Sequence, residues 1–313
     1  PLVNEKVNII ISGVSYVKST DGEGKTSIAI NLIPGTYSVT VRFNGSDVYQ
    51  ESEITNNITV LSTIGGKDVV MYFCNGTKYC ATFLDGNGAP LANVDVRFNI
   101  NGVFYKRTTD VNGVASLNIR LNPGNYIITA IHPNGQMFSN NIEVLSTIGG
   151  KDVVMYFCNG TKYCATFLDG NGAPLANVDV RFNINGVFYK RTTDVNGVAS
   201  LNIRLNPGNY IITAIHPNGQ MFSNNIEVLP VLTGSDLNMK FDDGSKYGVK
   251  LVDGSGNPVS GVNITMNING VFYNKLTDSE GIARLNIRLL PGEYIITSMY
   301  DRAVTSNKIT IRG

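Results

Sequence analysis

One sequence stretch occurs in four versions along the chain and constrains its fold more than any other feature. The copies begin at Gly13, Gly102, Gly186 and Gly270, and the last three starts are evenly spaced. Fixed periodicity of this kind is the signature of a repeat architecture, in which each repeat forms one structural unit. The 313 residues are therefore predicted to fold as about four small domains and not around a single core.

The recurring stretch is predicted to form two β-strands joined by a tight turn. Leu117, Ile119 and Leu121 alternate with polar residues, which is the pattern of a strand with one buried face. The turn sequence of residues 122–124 breaks this run, and alternation resumes at Tyr126. The same register holds in other copies at Ile28, Ile30, Leu32, Leu285, Ile287 and Leu289.

A complete repeat, such as residues 61–144, is predicted to contain seven short strands. Turn signals such as Asn75-Gly76, interpreted as a hairpin turn, and Asn101-Gly102 separate the strands, and no segment has a helical period. Strands spaced roughly 8–12 residues apart in this way are typical of a β-sandwich. The residues expected in the core of the second repeat are Val96, Phe98, Leu117, Ile119, Tyr126 and Ile128.

A tyrosine follows Pro-Gly-x in every copy, at the start of the sixth predicted strand. These residues are Tyr37, Tyr126, Tyr210 and Tyr294. Two interpretations are open: a tyrosine corner, in which the hydroxyl bonds back to the upstream backbone, or an aromatic ring at the edge of the core.

The repeats divide the chain into predicted domains at residues 1–60, 61–144, 145–228 and 229–313. The second and third are identical at every position, and the fourth is a diverged copy. Junctions such as residues 145–150 are so short that they favour domains arranged end to end as a rod over freely jointed domains.

Residues 1–60 align with only the later part of the repeat, and the chain is expected to be a piece of a longer polypeptide. They have no counterparts of Val69, Met71, Phe73, Tyr79, Ala81 and Phe83. The first domain is therefore expected to lack two strands and to be unstable by itself. We expect strand complementation of residues 1–60 from outside this chain, by an upstream segment or a neighbouring molecule.

The motifs of residues 88–130 and 228–240 resemble those of adhesin-like cell-surface proteins of methanogenic archaea. More broadly, the repeat is similar to bacterial immunoglobulin-like (Ig-like) modules of the invasin and pilin-backbone kind. The resemblance covers all four repeats and implies an all-β fold of tandem Ig-like β-sandwich domains. It also implies a large, exported, cell-anchored protein whose modules form a stalk without a defined ligand site.

Composition and charge exclude several function classes. The net charge is +1, and no basic stripe suggests nucleic acid. No apolar run approaches the roughly 18 residues of a membrane span. Charged residues make up only 16% of the chain, while residues 61–144 contain twelve Asn, a polar surface that is common on exported proteins. We expect an extracellular, cell-surface location, no enzyme activity and no cofactor.

The four cysteines occur as one pair in each of the two identical repeats. They are Cys74, Cys80, Cys158 and Cys164, and both positions change together in the fourth repeat, to Asp242 and Gly248. Alternation places both thiols of a pair on the outward face beside one turn. A disulfide within each repeat is the leading prediction, with free thiols or cross-links between chains as alternatives; the spacing does not suit zinc.

Five Asn-x-Ser/Thr sequons are possible N-glycosylation sites, although such sequons also arise by coincidence in an Asn- and Thr-rich chain. They are Asn44, Asn57, Asn75, Asn159 and Asn263. Asn75 and Asn159 are expected at exposed hairpin tips, which makes them the best acceptors.

The remaining polar groups are predicted to be structural. His132 and His216 are expected to lie exposed in a turn, because no catalytic partner is placed nearby. Asp85 and Asp110 begin loops that could mimic calcium sites but are better explained as Asx turns. Glu143 is expected to face outward, which argues against an isopeptide bond assisted by a buried acid.

Three functions are compatible with these sequence features. The leading one is a non-enzymatic surface stalk or adhesin segment whose partners are other cells, surface glycans or proteins. The second is a structural subunit of a filament or sheath that packs against neighbouring copies of itself. The third is a carbohydrate-binding module, which the absence of Trp weakens. Residues 42–57 form the one repeat-specific hairpin and are the expected specific contact.

Overall fold

The computed structural model describes residues 1–313 and contains 28 β-strands and no helix. This confirms the all-β prediction. In residues 1–60 the strands are β1 Lys6–Ile11, β2 Val14–Ser19, β3 Gly35–Phe43 and β4 Ser52–Val60. They form one four-stranded sheet in the order β2-β1-β3-β4.

Eight strands follow in residues 61–145. They are β5 Ile64–Gly66, β6 Val69–Tyr72, β7 Lys78–Phe83, β8 Asp95–Ile100, β9 Val103–Thr108, β10 Val114–Asn118, β11 Gly124–Ile131 and β12 Met137–Leu145. A three-stranded sheet has the order β10-β7-β5, and a five-stranded sheet has the order β6-β12-β11-β8-β9.

The next two repeats build the same pair of sheets. The third contains β13 Ile148–Gly150, β14 Val153–Tyr156, β15 Lys162–Phe167, β16 Asp179–Ile184, β17 Val187–Thr192, β18 Val198–Asn202, β19 Gly208–Ile215 and β20 Met221–Leu229. The fourth contains β21 Leu232–Gly234, β22 Leu237–Lys240, β23 Lys246–Leu251, β24 Asn263–Ile268, β25 Val271–Leu276, β26 Ile282–Asn286, β27 Gly292–Tyr300 and β28 Ala303–Arg312.

The two sheets of a complete repeat face each other across a shared core, which is aromatic in the second and third repeats. Tyr79 of the three-stranded sheet meets Phe98 of the five-stranded sheet edge to face, with ring centroids 5.5 Å apart. Both rings are fully buried, and Phe83 and Ile128 complete the same layer. Because the inward residues of both sheets form one core, each complete repeat is a β-sandwich.

The strand order identifies the sandwich as Ig-like. The first strand of each repeat is split, so that β5 joins the three-stranded sheet and β6 joins the five-stranded one. In the third repeat β14 runs parallel to β20, whereas the other pairs described in that repeat are antiparallel. Greek-key connections between two such sheets are characteristic of the immunoglobulin fold.

Local turn chemistry fixes the hairpin between β8 and β9. Ile100 pairs with Val103, so only two residues form the loop. Asn101 and Gly102 both have positive φ, 51° and 82°. This is the type I′ turn that matches strand twist and favours Asn-Gly.

The tyrosine of each Pro-Gly-x-Tyr sequence forms a tyrosine corner. The Tyr126 hydroxyl donates to the carbonyl oxygen of Asn122 at 2.8 Å. The equivalent bonds run from Tyr37 to Ile33, Tyr210 to Asn206 and Tyr294 to Leu290, at 2.7–2.9 Å. Of the six predicted core residues, five are buried and Tyr126 is half-buried, because its ring lies at the edge of the core.

Three predictions about strands are wrong. Each complete repeat contains eight strands and not seven, because a short strand such as β5 precedes the first predicted one. Asn75-Gly76 does not close a hairpin, because β6 and β7 belong to different sheets and the segment between them crosses the sandwich. The strand predicted over residues 28–32 does not form: its counterpart β10 pairs with β7, and residues 1–60 contain no such partner. Ile28 and Leu32 instead pack loosely on the small cluster around Ile9.

The chain divides into two compact units. The first comprises residues 1–71 and 76–145, and the second comprises residues 72–75 and 146–313. The first unit contains the four-stranded sheet and most of one complete sandwich. The second unit contains the two complete sandwiches of the third and fourth repeats.

Candidate functional surfaces

All four cysteine thiols are exposed, as the alternation predicts, and all four are free in this structure. Cys74 and Cys158 lie in turns with positive φ, 58° and 61°. Cys80 lies on the outer face of the three-stranded sheet, opposite Ser116. The thiols of a pair are therefore not cross-strand neighbours of one hairpin, and the disulfide stays a prediction.

The two histidines are buried, which corrects the expectation that they lie exposed. His216 is only 6% exposed. Its Nδ1 accepts the backbone N–H of Asn218 at 3.0 Å, and its Nε2 lies 2.9 Å from the carbonyl oxygen of Leu168. A neutral ring protonated at Nε2 satisfies both contacts. Burial lowers the pKa of His216 below 6.5.

The loop that contains each histidine, residues 216–220 in the third repeat, folds back over the start of its own repeat. Gln220, four residues after His216, is also buried, and its Oε1 accepts the backbone N–H of Thr147 at 2.8 Å. Gln136 makes the equivalent contact to Thr63 in the second repeat. The loop thus ties the first and last strands of a sandwich together, which is a structural role.

The two Asp-initiated loops are Asx turns, as predicted. Asp85 Oδ1 accepts the backbone N–H groups of Asn87 and Ala89, both at 2.9 Å. Asp110 does the same for Asn112 and Val114. No group of three or more His, Cys, Asp or Glu side chains is placed to hold a metal ion.

An acidic residue between the two halves of the split strand organises a polar network. Asp68 Oδ1 accepts the backbone N–H of Asn141 at 2.8 Å and the Asn140 side-chain amide at 3.0 Å. These bonds lower the pKa of Asp68. The Tyr79 hydroxyl donates to Asn140 at 2.7 Å, and burial raises the pKa of Tyr79 to about 12.

The five sequon asparagines are all exposed, and their glycosylation stays a prediction. Asn75 and Asn159 do not lie at hairpin tips, since the turns that contain them connect two different sheets. The Asn159 side chain also makes a hydrogen bond to the next repeat. Its Nδ2, the atom that a glycan would modify, donates to the carbonyl oxygen of Gly254 in the next repeat at 3.0 Å.

The third and fourth repeats share a packed junction inside the second compact unit. Phe157 packs against the cores of both sandwiches, and Tyr156 packs against that of the fourth. Gly256 has a positive φ of 86°, and a side chain there would collide with the Tyr156 ring. Sequence patterns within one repeat do not reveal this junction, because each of these residues contacts a residue of another repeat.

One edge strand of each five-stranded sheet, β9, β17 or β25, presents at least two exposed apolar residues. In β9 these are Val103 and Phe104, which is 59% exposed, and the Arg97 guanidinium lies 5.6 Å from the Phe104 ring centre. The equivalent exposed pairs are Val187 with Phe188 and Val271 with Phe272.

The hairpin of residues 42–57 is also exposed. Its turn, residues 44–51, carries Val48 and Tyr49, which are 80% and 50% exposed. Arg42 lies 3.5 Å from Glu51 across the hairpin. Glu143, the residue considered for an isopeptide site, is exposed in its strand, as predicted.

Comparison with known proteins returns tandem-domain β proteins at low similarity, and no family model matches the chain. The I9–I11 tandem of titin is 14% identical, covering 79% of this chain and 98% of its own, with a TM-score of 0.32. A Ca²⁺-stabilised adhesin with which an Antarctic bacterium binds ice is 15% identical, with coverages of 99% and 91% and a TM-score of 0.20.

A third similar structure is the SGBP-B protein of a Bacteroides ovatus mixed-linkage glucan utilisation locus, in complex with a heptasaccharide. It is 11% identical, with coverages of 90% and 81% and a TM-score of 0.23. The Ig-like assignment rests on the strand order of the sandwiches and not on these similarities. Residues 1–313 include no apolar helix of membrane-spanning length.

Proposed function

We propose that this chain is a non-enzymatic, adhesin-like segment of an extracellular protein, in which Ig-like repeats serve as a surface stalk or spacer for attachment. The observation that supports this most strongly is the junction between the third and fourth repeats. Phe157 contributes to both cores there, so the two sandwiches are held by packing and not by a loose linker. A spacer needs this property, because flexible linkers do not hold a distal part at a distance.

The polar groups of the chain support the same proposal. The buried histidines, the Asx turns and the Asp68 network each stabilise a connection within one sandwich. Asp68 lines an open groove together with Cys80, but both of its carboxylate oxygens accept hydrogen bonds from Asn140 and Asn141. Structural roles for the side chains that would serve chemistry in an enzyme support a non-enzymatic function.

A structural subunit of a filament or sheath is the second proposal, and the edge strands favour it. Val103 and Phe104 are exposed on β9, at the edge of the five-stranded sheet. An unpaired edge with apolar side chains can pair with another chain. The same feature recurs in the third and fourth repeats, which would give a periodic lateral contact.

Self-association of the purified chain distinguishes the stalk proposal from the filament proposal. A stalk segment stays monomeric in analytical ultracentrifugation over a wide concentration range and retains whole cells when immobilised. A filament subunit assembles as concentration rises, and Phe104→Lys with Phe188→Lys and Phe272→Lys abolishes that assembly. Assembly of the native chain without cell retention would contradict the stalk.

A further proposal concerns residues 1–60. Their four-stranded sheet buries only Ile9, Ile11 and Val39 among its apolar residues, whereas the equivalent face of each later repeat is covered by a second sheet. We propose that a segment similar in sequence to residues 61–89 covers this face. Residues 61–89 themselves supply Tyr79 and Phe83 to the equivalent face in the next repeat. Pairing of this kind is strand complementation.

A further inference from the structure

A groove at the junction of the third and fourth repeats brings three cations together. The side chains that define this junction groove are Phe157, Lys162, Asn202, Arg204, Asn206 and Arg302. Lys162 begins β15 and pairs with Asn202 at the end of β18, and Arg204 follows two residues later. Arg302 comes from the fourth repeat, so the groove exists only where the two repeats meet.

The cations of the junction groove have no strong ion-pair partner. No carboxylate lies within 4.0 Å of Lys162 or Arg204, and no acidic residue lines the groove. Arg302 makes one long contact of 3.8 Å to its neighbour Asp301, and both side chains are about 70% exposed. Three like charges that face one groove, with only this one long ion-pair contact among them, attract an anion.

Arg302 is a particular feature of the fourth repeat. It lies in the two-residue turn between β27 and β28, where Tyr300 pairs with Ala303. The second and third repeats have the longer loops 132–136 and 216–220 at this place, and neither loop contains Lys or Arg. Lys162 and Arg204 have direct counterparts in Lys78 and Arg120, so Arg302 distinguishes this groove.

We infer that the junction groove binds an acidic polysaccharide through its sulfate or carboxylate groups. Two guanidinium groups offer paired N–H donors that match the oxygens of a sulfate or carboxylate. The Asn202 and Asn206 amides can donate to and accept from sugar hydroxyls. Phe157, which is only partly buried, provides apolar surface in the same groove, against which the C–H face of a sugar ring can pack.

Nucleic acid fits these observations less well. Proteins that bind it without sequence preference use a basic stripe that follows several phosphates. This chain has a net charge of +1, and the junction groove holds only three of its 25 Lys and Arg residues, too few for such a stripe. An oligonucleotide is therefore a comparison ligand in the test.

The test measures binding of the purified full chain to defined oligosaccharides at physiological salt, before and after charge reversal. The probes are dextran sulfate oligosaccharide, oligogalacturonate and neutral dextran of equal length. Arg302→Glu should weaken binding of the acidic probes by about fivefold or more. Arg288→Glu is the matched control, because Arg288 is the exposed counterpart of Arg204 in the fourth repeat and does not line the groove; it should change binding by less than about twofold.

Cys158 provides a second readout, because its exposed thiol lines the junction groove. In a variant with Ser at the other three cysteine positions, a bound acidic probe should slow alkylation of Cys158. Arg302→Glu should remove that protection.

The inference is overturned if neither acidic probe binds, if neutral dextran binds equally, or if both Arg variants weaken binding alike. Tighter, Arg302-dependent binding of an oligonucleotide of equal charge would also overturn it. Because the assay uses the isolated chain, its outcome does not depend on the stalk proposal.

Discussion

At the scale of single residues, His216 connects proton binding to stability. Burial lowers the pKa of His216 in the folded chain below the ordinary value of about 6.5 that the unfolded chain retains. Protonation of His216 therefore favours unfolding. The contribution of His216 to the free energy of unfolding is complete above pH 6.5 and declines as the pH falls below that value. The fourth repeat has Tyr300 at this position and lacks the effect.

NMR can measure this directly, since the chain contains only two histidines. The ring signal of His216, assigned with a His132→Gln variant, should titrate below pH 6.5. The free energy of unfolding of the third repeat should fall as the pH is lowered through this range, and His216→Gln should reduce that dependence. A titration midpoint at or above 6.5 would contradict the buried neutral ring.

The tyrosine corner predicts a small, specific loss of stability. Tyr294→Phe removes the hydroxyl that donates to the carbonyl oxygen of Leu290 and should destabilise the fourth repeat by about 0.5–1.5 kcal/mol. Denaturant unfolding measures this loss. Tyr273→Phe is the control, because Tyr273 is exposed on the edge strand β25 and should change stability little. Equal effects of the two variants would show that the corner contributes nothing.

Each cysteine pair is predicted to form a disulfide. Under oxidising conditions a bond should form within each repeat, between Cys74 and Cys80 and between Cys158 and Cys164. Mass spectrometry of the non-reduced protein should find each linked peptide two mass units lighter than its reduced form. Alkylation of all four thiols without reductant would rule out the bond and leave the thiols free, as they are in this structure.

At the scale of elements, locally encoded features follow from the sequence and features that need a distant partner do not. The Asn101-Gly102 hairpin and the Asx turns were predictable because the residues that form them are adjacent. Strand β5 was not, because its three residues gain their partner only from β7.

The same reasoning explains the errors at the candidate surfaces. The burial of His132 depends on the carbonyl oxygen of Leu84, 48 residues away. The junction groove depends on Arg302, which another repeat supplies. Each residue type was visible in the sequence, but its surroundings were set by pairing of distant strands.

The incomplete sheet of residues 1–60 is predicted to accept added strands from another segment. A peptide with the sequence of residues 61–89 should bind the full chain, because it supplies the large side chains that cover this face in the next repeat. Fluorescence anisotropy of a labelled peptide measures this binding. Ile9→Asp should weaken it, because Ile9 is buried in the acceptor sheet, whereas Val17→Asp on the exposed face of β2 should not. Equal binding to both variants, or none to the native chain, would defeat the proposal.

At the scale of the whole molecule, each complete repeat is expected to act as a self-contained mechanical module. Each has its own aromatic or aliphatic core and its own pair of sheets. We therefore expect such modules to unfold one at a time under load.

Single-molecule force spectroscopy tests this modular behaviour most directly. Three unfolding events are expected when the chain is pulled from its ends. Each should release about 84 residues, a contour length of about 300 Å at roughly 3.6 Å per residue before the folded length is subtracted. A single event that releases the whole chain, or steps that do not match one repeat, would contradict independent folding of the repeats.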